Sequence, residues 1–137
     1  MLRNTSEALL IGKVQKLSGV PVRTIRYYES LGLIKSAGRT EGGFRQFYED
    51  ILTRLSFIKR AQSLGLSLQE IGNILKVYDS GKAPCNEIQQ KLEDKISEIE
   101  KQIEDLRKLQ SNLMVVLSQW KSLSNKPNDT ICPNIQK

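Results

Sequence analysis

The most informative absence in this sequence is histidine, of which its 137 residues contain none. Histidine is the commonest general base and the commonest metal ligand in proteins, so hydrolytic or histidine-dependent catalysis is hard to build here. We therefore expect a protein that is not an enzyme.

Aromatic residues make up only 6% of the chain and charged residues 26%. This balance is typical of helices with solvated faces rather than of a β-sandwich.

The sequence also lacks long apolar runs and is poor in cysteine. No run reaches the 18 residues of a membrane-spanning helix, and the first ten residues lack the features of a signal peptide. We therefore expect a cytoplasmic protein with no membrane partner.

Cys85 and Cys132 are the only cysteines. In a reducing compartment such a pair is more typical of free thiols or metal ligands than of a disulfide.

Positive charge is in excess and is concentrated in the N-terminal part. Residues 1–60 hold eleven Lys or Arg against five Asp or Glu, whereas residues 81–137 hold nine against eight, and the net charge is +6. Clustered positive charge attracts a phosphate backbone and releases its counterions on contact. Charge alone leaves ordinary solubility and a nucleic-acid partner as equal alternatives.

Two short amphipathic helices are predicted near the N-terminus. The first starts at Ile11 and ends at Ser18-Gly19, where glycine tolerates a positive φ. The second has Pro21 in its first turn, a position that suits proline. Its inner side carries Ile25 and Tyr28, and its outer side carries Arg23, Thr24, Arg26 and Tyr27. Two helices around a glycine-containing turn, with cations on the second, predict a helix-turn-helix.

A short basic hairpin is predicted directly after the second helix. The pair Gly42-Gly43 is a turn signal between Arg39 and Arg45, and the hairpin extends to Tyr48. A hairpin in this position is a wing, whose arginines can reach phosphates or a narrow minor groove.

Together these motifs resemble the MerR family of bacterial regulators. The resemblance rests on TIRYYE at residues 24–29, Gly32-Leu33, GFR at residues 43–45 and IKRAQSLGLSLQEI at residues 58–71. It covers essentially the whole chain and implies a mainly α fold with a winged helix-turn-helix head. The implied DNA-binding residues are Arg23 at a base-reading position, Arg26 and Tyr27 at phosphates, and Arg39 and Arg45 on the wing.

Two residues depart from the family pattern. Pro21 stands where the family usually has a hydrogen-bonding N-cap, which would shift the start of the helix by a residue. Phe47 replaces a tyrosine that is common after the wing, so a hydroxyl contact with DNA would have to come from Tyr48.

A second helix pair is predicted between the wing and the C-terminal part. The apolar positions Ile51, Leu52, Leu55, Ile58 and Ala61 form one stripe, and the next apolar set is Ile71, Ile74 and Leu75. Ser67 and Glu70 have the spacing of a capping box, and Pro84 is placed to open the following helix. We therefore expect residues 1–80 to form the DNA-binding domain.

A long helix with a heptad stripe is predicted over residues 81–121. The stripe consists of Leu92, Ile96, Ile99, Ile103, Leu106, Leu113 and Leu117, with Gln110 as its polar interruption. A second copy of the chain is the simplest partner for this stripe, although folding back within one chain is an alternative. The resemblance implies an antiparallel coiled coil in a homodimer, which would match a palindromic operator in double-stranded promoter DNA.

The two cysteines lie on either side of this helix. In the metal-sensing branch of the family one cysteine opens the long helix and another lies in the loop after it, and Cys85 and Cys132 match those two places. The resemblance implies an effector-binding loop at residues 122–137 and sites built across the dimer interface. A mercury or lead sensor usually has a further cysteine near the end of the long helix, where this chain has Ser118 and Trp120.

The sequence therefore predicts a metal-responsive transcriptional regulator that changes DNA distortion at a promoter served by RNA polymerase. Two thiolates without histidine suit two-coordinate Hg(II) or Cu(I) better than tetrahedral Zn(II). The resemblance favours Hg(II), with Zn(II), Cd(II), Pb(II) and Cu(I) as alternatives. The copper-sensing branch has serine in place of Cys85, which favours divalent ions. A redox or electrophile sensor could use the same thiols. Each cysteine read alone also fits a small hydrophobic packing residue.

Overall fold

The computed structural model describes residues 8–122 and 129–136, and within them the chain is mainly helical with one small sheet. The helices are α1 (Ile11–Ser18), α2 (Val22–Ser30), α3 (Ile51–Ser63), α4 (Leu68–Asp79) and α5 (Cys85–Ser118). The strands are β1 (Ala8–Leu10), β2 (Gly38–Arg39) and β3 (Arg45–Tyr48). The predicted winged helix-turn-helix head and long C-terminal helix are confirmed.

The chain divides into two compact units whose border lies between Lys91 and Leu92. The sequence predicted three segments: a DNA-binding domain, a dimerisation helix and an effector loop. The functional roles of these segments remain predictions. Of the predicted effector loop, residues 123–128 and residue 137 lie outside the described residues. No helix of the described ranges is long and apolar enough to cross a membrane.

The sheet has the order β1-β3-β2, with both pairs antiparallel. Strands β2 and β3 form the predicted wing hairpin. Strand β1 was not predicted, because its three apolar residues run directly into α1 and carry no alternation of their own. Leu9 of β1 pairs with Phe47 of β3, and the Phe47 side chain is fully buried. The sheet therefore attaches the wing to the core of the head.

Helices α1 and α2 form the predicted helix-turn-helix around Gly19, whose φ of 74° requires glycine. Pro21 is the N-cap of α2 and not part of its first turn, so the predicted helix start is wrong by one residue. A proline N-cap has no side chain that can accept a hydrogen bond. Instead, Gln15 Oε1 accepts from the Val22 backbone N–H at 2.7 Å. A side chain of α1 therefore replaces the missing cap of α2.

Helices α3 and α4 complete the core of the head with the predicted apolar faces. Leu55 and Ile58 are the innermost residues of α3, and both are fully buried. The capping box of Ser67 and Glu70 at the start of α4 is present in both directions. The predicted second helix pair is therefore present in the structure.

Arg54 of α3 links three segments of the head. Its Nε donates to the Leu33 carbonyl oxygen at 2.6 Å, and its two Nη nitrogens bind the Asp79 carboxylate at 2.7 and 2.9 Å. Leu33 follows α2, and Asp79 is the last residue of α4. One guanidinium therefore connects the helix-turn-helix to the second helix pair.

Helix α5 begins at Cys85, directly after Pro84, as predicted. No residue of α5 is buried, and the predicted seam positions from Ile96 to Leu117 are 44–67% exposed, apart from the polar Gln110. The exposed apolar set near the end of the helix is wider than one stripe, since it also includes Met114 and Val115. The described residues of this chain therefore leave the predicted heptad stripe uncovered.

Candidate DNA interface and thiol sites

The outer face of α2 carries the predicted recognition residues. Arg23, Arg26 and Tyr27 are all exposed, and their spacing of three and four residues places them on one side of the helix. The opposite side is anchored by Tyr28, whose ring is buried and whose hydroxyl donates to Gln62 Oε1 of α3 at 2.7 Å. Burial raises the pKa of Tyr28 above its ordinary value. The helix is therefore fixed to the head with its cationic face turned outward.

The wing is a tight hairpin with a hydrogen-bonded turn. The Thr40 N–H donates to the Phe44 carbonyl oxygen at 2.8 Å, and the Gly43 N–H donates to the Thr40 carbonyl oxygen at 2.9 Å. Thr40 Oγ1 also accepts from the Phe44 N–H at 3.1 Å. Arg39 Nη1 donates to the Gly43 carbonyl oxygen at 3.2 Å, so this side chain is directed along the turn.

The two wing arginines are direct partners across the hairpin, since Arg39 of β2 pairs with Arg45 of β3. Arg45 is also bound to the recognition helix: its Nε lies 2.6 Å from Oε1 of Glu29 in α2. Sequence reasoning named Arg45 but missed Glu29. The sequence did contain a signal for this contact: Glu29 is a carboxylate that follows an arginine and two tyrosines on a basic helix.

Tyr48 lies at the other end of β3 from Arg45. It is half-buried and pairs with Ala8 of β1. Its position therefore differs from that of the exposed recognition residues on α2. The structure joins Arg45 to α2 through Glu29, whereas Tyr48 lies in the β1–β3 strand pair.

Cys85 occupies the first position of α5 as an exposed free thiol. The first turn of α5 begins with a hydrogen bond from the Ile88 N–H to the Pro84 carbonyl oxygen at 3.0 Å. At the start of a helix the first backbone N–H groups have no partner within the helix, and Cys85 stands beside these groups. Its thiol is therefore accessible to a soft ion at the start of α5.

Cys132 is a half-buried free thiol in a turn that is well defined by hydrogen bonds. Gln136 Oε1 accepts from the Ile131 and Cys132 backbone N–H groups at 2.6 and 3.0 Å. The Asn134 side chain donates to the Lys121 carbonyl oxygen at 2.8 Å and accepts from its N–H at 3.0 Å. The turn that contains Cys132 is therefore attached to Lys121, which lies three residues beyond the end of α5.

The two thiols fit a metal role by ligand type. Both are free, and both belong to the soft ligands that thiophilic metal ions prefer. In the described parts of the chain, no three His, Cys, Asp or Glu side chains form a group that could hold a metal ion. Cys85 and Cys132 belong to different compact units.

These features define a winged helix-turn-helix transcriptional regulator with a long C-terminal helix. Two family profiles match the chain: "MerR HTH family regulatory protein" over residues 9–77 and "MerR, DNA binding" over residues 52–116. The chain belongs to the MerR family of DNA-binding transcriptional regulators, as the sequence resemblance implied.

Several relatives carry a metal in their name or structure. The mercuric resistance operon regulatory protein of Bacillus cereus is 43% identical over 104 residues, which are 76% of this chain and 79% of that protein. The lead(II) complex of PbrR691 from Ralstonia metallidurans is 30% identical, with a TM-score of 0.70, and covers 86% of this chain and 92% of that one. The mercury(II) complex of MerR from Bacillus megaterium is 35% identical, with a TM-score of 0.55, and covers 86% and 89%.

Proposed function

We propose that this protein is a cytoplasmic, metal-responsive regulator that binds a palindromic promoter operator as a homodimer. In this proposal, Cys85 of one protomer and Cys132 of the other bind a soft divalent ion, with Hg(II) favoured. Metal binding changes the distortion of the DNA and thereby the use of the promoter by RNA polymerase.

The observation that carries this proposal is the placement of the two free thiols. Cys85 is exposed at the first residue of α5, and Cys132 lies in a turn that Asn134 attaches to Lys121 beyond the end of the same helix. A dimer of antiparallel α5 helices brings the start of one helix to the end of the other. Two equivalent two-thiolate sites follow from that symmetry.

The choice of Hg(II) follows from ligand type and number. Hg(II) is satisfied by two thiolates, whereas tetrahedral Zn(II) needs further ligands. The mercury and lead named for the relatives support a soft divalent ion. Zn(II), Cd(II), Pb(II) and Cu(I) are the alternatives that a direct comparison must include.

The DNA side of the proposal uses the cationic face of the head. Arg23, Arg26 and Tyr27 read or contact DNA from α2, and Arg39 and Arg45 contact it from the wing. Tyr48 is proposed as a hydroxyl donor to a phosphate at the wing end. A palindromic operator would receive one head on each half-site.

The switch is a shift between two relative arrangements of the heads. A metal can move this equilibrium only by its different affinity for the two states. Bending a duplex costs on the order of 1–6 kcal/mol, which thiolate coordination is strong enough to supply. Both forms therefore bind the operator, and the metal changes the shape of the bound DNA.

A redox or electrophile sensor is the second candidate function, and the exposure of Cys85 favours it. An exposed thiol can be oxidised or alkylated without prior unfolding. In that case peroxide or an aldehyde, and no metal ion, would change transcription.

The proposal is tested by reconstituted transcription with Hg(II) and the other four ions. Cys85→Ser and Cys132→Ser should each abolish the metal response and change operator affinity less than about twofold, since neither thiol belongs to the head surface that contacts DNA. Asn86→Ser, next to Cys85, is the matched control and should respond as the natural protein does. A full metal response in either cysteine variant contradicts the two-thiol site, and a response to peroxide alone supports the second candidate.

A further inference from the structure

We infer that Glu29 is a positioning residue for DNA binding, because its carboxylate holds Arg45 of the wing against the recognition helix. This inference rests on the proposed DNA-binding function. It assigns Glu29 a part in that function although Glu29 itself does not contact DNA. The relevant contact is the 2.6 Å pair between Glu29 Oε1 and Arg45 Nε.

The wing contains an unfavourable pair of charges that the Glu29 contact resolves. Arg39 and Arg45 are direct partners in the β2–β3 ladder, and like charges directly opposite each other destabilise a hairpin. Each guanidinium is held by a different acceptor: Arg39 by the Gly43 carbonyl oxygen within the turn, and Arg45 by Glu29 on α2. The two cations are thereby directed to different places.

The position of Glu29 is otherwise unfavourable. It is the last but one residue of α2, where the partial negative charge at the end of the helix repels a carboxylate. A carboxylate on a surface that binds phosphates also repels DNA. Two unfavourable effects at one residue call for a compensating role, and the ion pair with Arg45 supplies it.

The atoms used in the pair leave Arg45 able to bind DNA. Glu29 engages Nε, whereas the remaining four N–H donors of a guanidinium lie on its two Nη nitrogens. The side chains of Arg45 and Glu29 are 30% and 21% exposed, so the pair is partly shielded from water and salt. Glu29 therefore orients a guanidinium whose outer edge stays available to a phosphate.

Positioning and repulsion have opposite consequences for a Glu29 variant. Should Glu29 only repel DNA, its removal tightens binding to every sequence. Under the positioning role, its removal weakens binding to the operator and to unrelated DNA alike, because a phosphate contact of Arg45 does not depend on sequence. The sign of the change in affinity therefore decides between the roles.

The experiment compares Glu29→Ala, Glu29→Gln and Glu41→Ala in the full chain. The two probes are a duplex selected from random sequence by the natural protein and a duplex of scrambled sequence. Glu29→Ala should lose on the order of tenfold in affinity for the selected duplex, the size expected for a charge-assisted hydrogen bond. Glu29→Gln should recover part of this loss, because its amide oxygen still accepts from Arg45 Nε.

Glu41→Ala is the matched control, since Glu41 is an exposed carboxylate in the same wing and its removal changes the charge equally. It should tighten binding to both duplexes slightly. In an Arg45→Ala background Glu29→Ala should no longer weaken binding, because the residue to be positioned is gone and only the repulsion by the carboxylate remains to be removed. Thermal unfolding of each variant confirms that the head is folded under the binding conditions.

The positioning role is overturned if Glu29→Ala tightens binding to the selected duplex as Glu41→Ala does, or if Glu29→Ala still weakens binding in the Arg45→Ala background. Failure of the proposed function looks different. In that case the natural protein itself fails to select any duplex over scrambled DNA, and no variant is needed to see it.

Discussion

At the scale of single residues, the basic side chains of the head differ in how much of their charge is free for DNA. Arg26 is exposed on α2, whereas Arg45 is paired with Glu29. Each phosphate contact that is lost reduces the number of counterions released on binding. The salt dependence of binding therefore separates the two arginines.

We predict that Arg26→Ala lowers the slope of log K against log salt by about 1 per head and weakens binding broadly across sequences. Arg45→Ala should lower the slope less, because Glu29 already offsets part of its charge. Titrations of DNA by fluorescence anisotropy at several salt concentrations give both slopes. Lys101→Ala, on the exposed surface of α5, is the control, and unchanged slopes in both arginine variants would remove the phosphate assignment.

Tyr28 makes the stability of the head depend on pH in the alkaline range. Its pKa is raised by burial above the ordinary value of 10.0, so the folded head binds the phenolic proton more tightly than the unfolded chain does. The stabilisation is fully present below pH 10.0 and is lost as the pH rises toward the folded-state pKa. Denaturant unfolding should show a steeper loss of stability above that pH for the natural protein than for Tyr28→Phe. Equal slopes would contradict the burial of the hydroxyl.

At the scale of elements, the start of α2 depends on a side chain from α1. Gln15 Oε1 takes the place of the N-cap that Pro21 cannot provide. We predict that Gln15→Ala lowers the free energy of unfolding by about 1 kcal/mol, as loss of a helix cap does. Gln15→Glu retains the acceptor and adds a favourable charge at a helix start, so it should be at least as stable as the natural protein. Urea unfolding measures both, and equal stability of the two variants would contradict the capping role.

The elements that the sequence predicted are those with a local pattern. Helix α4 was identified by its capping box and apolar spacing, and the wing by Gly42-Gly43. Strand β1 was missed because three apolar residues next to α1 carry no alternation. The Glu29–Arg45 pair and the Gln15 cap join residues that are 16 and 7 positions apart, and only the folded chain brings them together. Their geometry follows from tertiary packing, which the sequence pattern does not contain.

The same distinction holds at the thiols. That Cys85 begins α5 could be predicted from the helix-opening Pro84. The turn around Cys132 could not, because it depends on two side chains: Gln136 binds backbone groups across the turn, and Asn134 binds the backbone of Lys121 beyond the end of α5. Amide side chains of this kind have no pattern in sequence that reveals their partners.

At the scale of the whole molecule, the uncovered stripe of α5 is the surface on which we propose that a second copy of the chain packs. Leu106 is 65% exposed and lies in the middle of the stripe. Leu106→Asp should dissociate the dimer, because burial of an unpaired carboxylate in a coiled-coil seam costs several kcal/mol. Sedimentation equilibrium measures the mass, and loss of cooperative binding to a palindromic duplex should accompany it.

Ser97→Asp is the matched control, because it introduces the same charge on the same helix outside the stripe and far from Met114 and Val115. It should remain dimeric. An intact dimer for Leu106→Asp would mean that another surface joins the two chains.

The central claim is that each metal site combines Cys85 of one chain with Cys132 of the other. This arrangement has a consequence for mixed dimers. Mixing the Cys85→Ser and Cys132→Ser variants produces a dimer in which one site has lost both thiols and the other retains both. Mixing therefore restores one complete site from two defective chains.

The measurement that tests this claim most directly is the Hg(II) stoichiometry of differentially tagged, purified mixed dimers, in the presence of a competing monothiol. The account predicts tight binding of one ion per mixed dimer and two per natural dimer, since a two-fold dimer has two equivalent sites. Neither single variant alone should retain an ion against the competitor. Mixed dimers that bind no more Hg(II) than the parent variants would contradict a site shared between chains.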